Sequence, residues 1–244
     1  MGLNINNDLI DVDHGHNRLL NTGLQGNPVV QYIPGKNGDL TVYSVFRRHK
    51  APNSAKRDRN SRLRGDNCHL LYALKGRDGL RTSFGAIRRL MWHFDEIVEQ
   101  IVDQSNVYDA ILPMPSGHLI SRIFAERLAR RYGCSVHEGV FMKISWERAR
   151  ELLAASPLSS PEKRSIAGRL DSGSGDFSLK EVPPRYREHF PPITLQKEGM
   201  PDGARFLLAD DLLATGKTLV TARDEILSVI PGAVVDASCL FSQV

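Results

Sequence analysis

The stretch LLADDLLATGKTL, residues 207–219, places two adjacent aspartates between an apolar run and a turn made of threonine, glycine and lysine. The apolar run predicts a buried strand, and the apolar spacing that continues to Ile230 predicts a helix directly after the turn. In a parallel α/β sheet, ligands bind beyond the carboxyl ends of the strands, where loops and helix N-termini converge. The acidic pair, Asp210 and Asp211, is therefore expected at a ligand site.

The turn after the acidic pair is suited to an anion. Its backbone N–H groups and the positive end of the helix dipole face the incoming charge. A glycine in the turn lets the chain curl closely around the anion because it has no Cβ. The candidate phosphate-binding residues are Ala214, Thr215, Gly216, Lys217 and Thr218.

Asp210 and Asp211 would repel a phosphate, so they need a different partner. An ionised carboxylate only accepts hydrogen bonds, and a vicinal sugar diol offers two donors. A Mg²⁺ ion held by the two carboxylates on the same diol would help, so Mg²⁺ is the expected cofactor. A phosphate next to a diol describes a ribose 5-phosphate.

Two other interpretations of this stretch stay open at this point. The Gly-Lys-Thr sequence is shared with the Walker A loop, but that loop has glycine five residues before the Gly-Lys pair, where this chain has Asp211. An ordinary capped helix after an acidic strand end would also produce this pattern.

The rest of the chain predicts strands that alternate with helices. Ser83 precedes a run with apolar residues at helical spacing through Ile101, which predicts a long helix with one buried face. The segment YDAILPM, residues 108–114, predicts a strand, residues 117–132 a helix, and residues 135–155 a second strand-helix unit. This alternation predicts an α/β fold with a mostly parallel, Rossmann-like sheet and helices on both faces.

Residues 1–73 are expected to form an N-terminal extension to a main domain at residues 74–244. The runs VVQYI and LTVYSVF flank a turn of Gly, Asn and Asp, which predicts a β-hairpin. Residues 47–64 hold eight Lys/Arg and one acid without apolar periodicity, which predicts a mobile loop. Contact with DNA or RNA phosphates and a plain surface loop are both open interpretations, and the candidate nucleic-acid residues are Arg57, Arg59, Arg62 and Arg64.

Residues 156–203 contain seven of the thirteen prolines, together with the sequence DSGSGD. This composition resists long helices and central strands. An extended excursion with room for a β-hairpin is expected here.

The stretch 207–219 resembles the phosphoribosyl-pyrophosphate (PRPP) signature of the purine and pyrimidine type of phosphoribosyltransferases. YDAILPMPSGHLISRIFAERLARRYG, residues 108–133, resembles the strand, pyrophosphate loop and helix of the ComF-type branch, and LKGRDG, residues 74–79, resembles that branch's basic segment. Together the resemblance covers residues 74–244. Ala214 and Lys217 depart from the signature, which usually has Ser or Thr and a small residue at these places.

The resemblance implies a sheet of the phosphoribosyltransferase type and further site residues. It implies a pyrophosphate loop formed by Met114, Pro115, Ser116, Gly117 and His118. It also implies that the excursion supplies a mobile loop that closes over PRPP and excludes water, with cations at Lys163, Arg164 and Arg169. A simple Pro/Gly turn and a solvated basic loop are the alternatives for these two segments.

Two functions of different classes follow from the resemblance. The first is a Mg²⁺-dependent glycosyltransferase of nucleotide metabolism, in which Asp210 and Asp211 are the catalytic residues and ribosyl 5-phosphate passes from PRPP to a nitrogen nucleophile as pyrophosphate leaves. The second is a module that binds PRPP or a ribonucleotide without turnover and acts in DNA handling or as a bacterial defence effector. The altered phosphate loop and the basic run favour the second, and the acidic pair favours the first.

Composition and the N-terminal sequence indicate the cellular location of the protein. The 244 residues carry a net charge of +4, and no apolar stretch is long enough to span a membrane. The first residues are acidic where a signal peptide would be basic, and three scattered cysteines are typical of reduced thiols. We therefore expect a cytoplasmic protein without a membrane partner, and self-association into a homo-oligomer is compatible with these features.

Overall fold

The computed structural model describes residues 2–49, 68–171, 177, 179 and 182–243, and the fold is given for these residues. They form an α/β structure in which helices flank a mixed sheet. The strands are β1 (Gly2–Asn6), β2 (Leu9–Asp13), β3 (Leu20–Asn21), β4 (Val29–Ile33), β5 (Leu40–Arg48), β6 (Arg81–Thr82), β7 (Ala110–Pro113), β8 (Ser135–Val136), β9 (Phe141–Lys143), β10 (Ile193–Leu195), β11 (Arg205–Leu212) and β12 (Val234–Phe241). The α-helices are α1 (His69–Leu74), α2 (Phe84–Gln104), α3 (Ile120–Tyr132), α4 (Trp146–Ala155), α5 (Ser160–Asp171) and α6 (Lys217–Val229).

The main sheet has the order β3-β5-β12-β11-β7-β8, and β4 also pairs with β5. The pairs β5–β12, β12–β11, β11–β7 and β7–β8 are parallel, whereas β3 and β4 run antiparallel to β5. Alternate residues of β11 enter the hydrophobic clusters on opposite faces of the sheet: Leu207 and Ala209 on one face, Phe206 and Leu208 on the other. Burial on both faces explains why this strand is a continuous apolar run.

The predicted β-hairpin is confirmed by β4 and β5, which pair from Val29↔Ser44 to Ile33↔Leu40. Its second strand also pairs in parallel with β12, as in Phe241↔Phe46. The main sheet therefore takes strands from both sides of residue 73, where the sequence suggests a domain boundary. A smaller sheet, β1-β2-β6, packs against α2 and was not predicted, because its strands carry few β-branched residues.

The long helix α2 begins where the sequence predicts it. The hydroxyl of Ser83 accepts a hydrogen bond from the N–H of Ala86 at 3.0 Å and so caps the helix. Its buried face includes Leu90, Phe94 and Ile97. The helix after β7 is also confirmed, and α3 ends at Gly133, whose φ of 68° is in the left-handed region that glycine adopts readily.

The described part of residues 156–203 contains a 12-residue α-helix, so the prediction of an extended segment is wrong there. Helix α5 lies inside it, and a 3₁₀ helix follows at Pro184–His189. The prolines do not prevent α5, because Pro161 occupies its first turn, where no intrahelical N–H partner is needed. Strand β10 lies in the excursion but pairs with β9, which precedes the excursion in the chain. The two strands therefore do not form a β-hairpin within residues 156–203.

The segment between β9 and β10 forms a small helical unit, which we call the cap (residues 144–192, described as far as residue 171 and at 177, 179 and 182–192). A hydrophobic cluster of its own includes Leu153, Ile166, Tyr186 and Phe190. The second predicted strand-helix unit is divided here: β8 joins the main sheet, whereas β9 joins the stem of the cap and α4 lies within it. Within the described ranges, no helix is long and apolar enough to cross a membrane.

Candidate functional site

Two adjacent strands of the main sheet bring the predicted loops together. β7 and β11 are parallel neighbours, with Ala209↔Pro113 as their last pair. The N–H of Met114 continues the ladder by donating to the carbonyl oxygen of Ala209 at 2.8 Å. The loops that follow both strands therefore leave the sheet at the same edge, which is the expected position of a ligand site in an α/β sheet.

The acidic pair lies at the end of β11, as the sequence predicts. Asp211 is buried and Asp210 is partly buried. One oxygen of Asp210 accepts the backbone N–H of Asp211 at 2.8 Å. The hydroxyl of Ser121, in the first turn of α3, lies 3.5 Å from a carboxylate oxygen of each aspartate. Ser121 thus connects the helix after the first loop to the acidic pair.

Lys75 is the residue at this site that sequence reasoning did not single out. Its ammonium forms an ion pair with Asp211, and the side chains of Lys75 and Asp211 are only 12% and 9% exposed. Lys75 directly follows α1 and belongs to the LKGRDG segment. The segment was noted for its basic character, but no sequence pattern indicated that this one side chain turns inward. Ser121 was not predicted either. A serine in the first turn of a helix is common, and no sequence pattern indicated that its hydroxyl lies near the two aspartates.

The two carboxylates have different electrostatic surroundings. Burial raises the pKa of Asp210 to about 7, and the neighbouring charge of Asp211 adds to the shift. Lys75 and the N–H of Asp211 act in the opposite direction and offset part of it. An acid with a raised pKa beside a surface pocket is typical of a functional site.

The candidate phosphate loop has the geometry of a helix N-terminus. Gly216 precedes α6 with a φ of 73°, and the first-turn amides of the helix have no intrahelical acceptor. The hydroxyl of Thr215 accepts the N–H of Lys217 at 3.4 Å, and Ala214 and Thr215 are exposed. Thr218 lies half-buried in the first turn.

Lys217 faces the cap in this structure. Its ammonium donates to the carbonyl oxygen of Arg187 at 2.9 Å, and burial lowers its pKa. The contact joins the start of α6 to the 3₁₀ helix of the cap. Lys217 thus has a structural partner, and whether it also contacts an anion stays a prediction.

The candidate pyrophosphate loop lines a pocket of about 270 Å³. Its five predicted residues all contribute to the lining, together with Ser121 from the acidic site. The hydroxyl of Ser116 accepts the N–H of His118 at 3.2 Å, and the Arg77 guanidinium donates to the His118 ring at 3.1 Å. The pKa of His118 is lowered by burial and by the neighbouring positive charges of Arg77 and Lys75. An anion in this pocket would therefore meet cations from the segment after α1.

The predicted mobile-loop cations are on a helix, which corrects the loop expected there. Lys163, Arg164 and Arg169 belong to α5, which packs on α4 through Ile166. The ammonium of Lys163 donates to the carbonyl of Ala154 at 2.7 Å and so caps the end of α4. Lys163 therefore has a structural partner within the cap.

The nucleic-acid candidates Arg57, Arg59, Arg62 and Arg64 lie outside the described residues. Among the residues that are described, no group of three or more His, Cys, Asp or Glu side chains could hold a metal ion. No protein-family model matches this chain, and no curated protein sequence matches it.

Proposed function

We propose that the chain binds PRPP at the edge of the sheet where β7 and β11 end. The observation that carries the proposal is the junction made by Ser121, whose hydroxyl reaches both aspartates from the helix that follows the pyrophosphate-loop candidate. Two anion-binding loops and a diol-binding acid pair would then share one site. The finer description of the sheet as the phosphoribosyltransferase type is part of this proposal.

Each part of PRPP would have a partner of suitable chemistry. The ribose hydroxyls would donate to Asp210 and Asp211, because carboxylates accept from both members of a diol. The 5-phosphate would bind at the N-terminus of α6, where amides without an intrahelical acceptor and the helix dipole favour an anion. The pyrophosphate would occupy the pocket beside His118 and meet the guanidinium of Arg77.

The predicted Mg²⁺ ion does not fit Asp211 as this carboxylate is placed. The Lys75 ammonium already lies against it, so a metal ion there would have to displace or oppose a positive charge. The described residues offer no further carboxylate, imidazole or thiol to complete a metal site. We therefore assign no step of the function to a protein-bound magnesium ion.

Transfer of the ribosyl group is the first candidate for the step after binding. A nitrogen lone pair would attack the anomeric carbon as the bond from this carbon to the pyrophosphate oxygen breaks, and the nitrogen would then lose its proton to solvent. Arg77 and Lys75, the cations near His118, would stabilise the negative charge that develops on the pyrophosphate as it leaves. The cap, with its own hydrophobic cluster, would cover the reacting carbon and exclude water.

A binding module without turnover is the second candidate. The observation that favours it is the Lys217 ammonium, which is held by the Arg187 carbonyl of the cap instead of facing the loop. In that case PRPP or a ribonucleotide would act as a signal, and the chain would act in DNA handling or in bacterial defence.

Isothermal titration with PRPP, followed by a pyrophosphate-release assay over a panel of nucleobases, separates these outcomes. Binding with release supports the transferase, and binding without release supports the module. Absence of heat with PRPP at millimolar concentration would contradict the proposed function.

A further inference from the structure

Lys75 is directed into the acidic site by a hydrogen-bonded turn. Its N–H donates to the carbonyl of Leu71 at 2.9 Å, and the N–H of Arg77 donates to the carbonyl of Tyr72 at 2.9 Å. Leu70 and Leu71 anchor α1 in the core, where each is 1% exposed. The backbone from which the Lys75 side chain starts is therefore fixed on both sides.

The side chain of Lys75 pays a desolvation cost to reach Asp211. Lysines at surface turns usually keep the ammonium in water while the methylenes lie on the protein. Here the whole side chain is 12% exposed, and Asp211 is its partner inside. An ion pair this deeply buried is stable only if both charges are compensated, so removing one partner leaves a costly charge behind.

Binding of a divalent metal ion to Asp211 is unfavourable while the Lys75 ammonium lies against this carboxylate. Mg²⁺ dehydrates reluctantly and requires several oxygen ligands. On Asp211 it would also face the ammonium of Lys75, and charges repel more strongly in a partly dry site than in water. Within the part of the chain that the structure describes, no group of three or more His, Cys, Asp or Glu side chains is placed to hold a metal ion.

We propose that Lys75 is the resident counter-cation of Asp210 and Asp211, and that the pair binds a ribose diol without a divalent metal ion. Lys75 is a positioning residue in this proposal, since it acts by holding the carboxylate of Asp211. The first part depends only on the ion pair, whereas the second part rests on the proposed function. The two parts therefore need separate measurements.

The first measurement is a titration with Mn²⁺ in the absence of any organic ligand. The electron paramagnetic resonance signal of free Mn²⁺ reports how much of the ion the protein binds. Wild-type protein should leave the signal unchanged up to millimolar Mn²⁺. The variant Lys75→Met keeps the apolar stem but frees Asp211, so it should bind Mn²⁺ about tenfold or more tightly than wild type. Adding Asp211→Asn to it should remove the gain.

Two further variants keep the test decisive. Lys75→Arg retains a positive charge beside Asp211 and should exclude Mn²⁺ as wild type does, even if Lys75→Met fails to fold. Lys197→Met removes a positive charge from an exposed lysine elsewhere and should bind no more Mn²⁺ than wild type. The proposal is overturned if wild-type protein binds one Mn²⁺ per chain and loses it in Asp211→Asn, or if a folded Lys75→Met gains nothing.

The second measurement is calorimetric titration with ribose 5-phosphate, in EDTA and in millimolar Mg²⁺. The dissociation constant should be the same in both, within about twofold, because the diol meets carboxylates already balanced by Lys75. Binding that occurs only with Mg²⁺ would overturn the metal-independent part. If neither condition gives binding, the proposed function fails, and the Mn²⁺ result still decides the role of Lys75.

Discussion

Asp210 and Asp211 are neighbours in the chain, yet their surroundings give them different chemical properties. Asp211 is matched by the ammonium of Lys75. Asp210 accepts the N–H of Asp211 at 2.8 Å and has a pKa raised to about 7 by burial and by the charge of Asp211. Near neutral pH the site can therefore change its charge by one proton at Asp210. This change should be visible in the stability of the protein.

The predicted effect is a loss of stability with rising pH that disappears in Asp210→Asn. The folded-state pKa of Asp210, about 7, is above its ordinary value of 3.8. Between these values the folded state holds a proton that the unfolded chain has lost, so raising the pH across this window favours unfolding. Urea unfolding at pH 5 and pH 8 should show that the stability of Asp210→Asn relative to wild type increases with pH.

Asp109 provides a control of opposite sign. The N–H groups of Ala204 and Arg205 donate to its carboxylate and lower its pKa, so its stabilising contribution is lost as pH falls. Asp109→Asn should therefore lose more stability at neutral pH than in acid. Identical pH profiles for Asp210→Asn and wild type would contradict the assignment of a raised pKa.

The strand β11, its loop and helix α6 form the element on which the account depends. Gly216 joins the loop to the helix with a φ of 73°, and a Cβ at this position would lie 2.8 Å from the Ile33 side chain. Glycine is therefore required both by backbone conformation and by close packing against the hairpin strand β4. Both constraints act on the loop where it enters α6.

Gly216→Ala should lower the free energy of unfolding by about 1–3 kcal/mol, because alanine is strained in the left-handed region and collides with Ile33. Chemical denaturation measures this change. The matched control is Gly168→Ala in the exposed middle of α5, where a Cβ meets nothing within 4 Å and the helix should gain about 0.5–1 kcal/mol. Equal effects of the two variants would argue against a constrained loop.

An element could be predicted from the sequence where a local pattern specifies it, and could not be predicted where it depends on contacts between distant residues. The apolar run of β11 and the spacing in α2 are local patterns, so both elements could be predicted. Helix α5 could not, because the prolines around it indicated an extended chain, whereas their exact positions permit a helix. The pairing of β5 with β12 is a contact over nearly 200 residues, and no local pattern carries it.

The same distinction holds for the site. Asp210, Asp211 and Gly216 form a short motif and were found from it. The contact of Lys75 with Asp211 joins segments that are far apart in sequence and depends on a side-chain direction. The basic character of residues 74–79 did not indicate this contact, and only the folded structure brings the Lys75 ammonium to the acid.

At the scale of the whole molecule, the basic run begins at the carboxyl end of β5, which contains Arg47 and Arg48. Because β5, β12 and β11 are parallel, the run starts at the same edge of the sheet as the acidic pair. Residues 47–64 hold eight Lys/Arg and one acid, and most of them lie outside the described ranges. We predict that this run binds nucleic-acid phosphates independently of PRPP. Changing Arg57, Arg59, Arg62 and Arg64 to Ala should flatten the salt dependence of DNA or RNA binding, because fewer counterions are released.

A gel-shift series from low to moderate salt measures this prediction, with PRPP affinity as the control. The affinity for PRPP should be the same in the fourfold variant and in wild type. Retention that is absent at every salt concentration, or that the four substitutions leave unchanged, would show that the run is a plain surface loop.

The central claim is that Asp210 and Asp211 bind the ribose of PRPP, and calorimetric titration of PRPP into wild type and the double variant Asp210→Asn, Asp211→Asn tests it most directly. Amides keep the shape of the pair but remove its charges, so we predict a folded variant whose binding is weaker by about 1–3 kcal/mol for each charged hydrogen bond lost. Circular dichroism confirms that the variant is folded. Equal affinities of the folded variant and wild type for PRPP would contradict the claim.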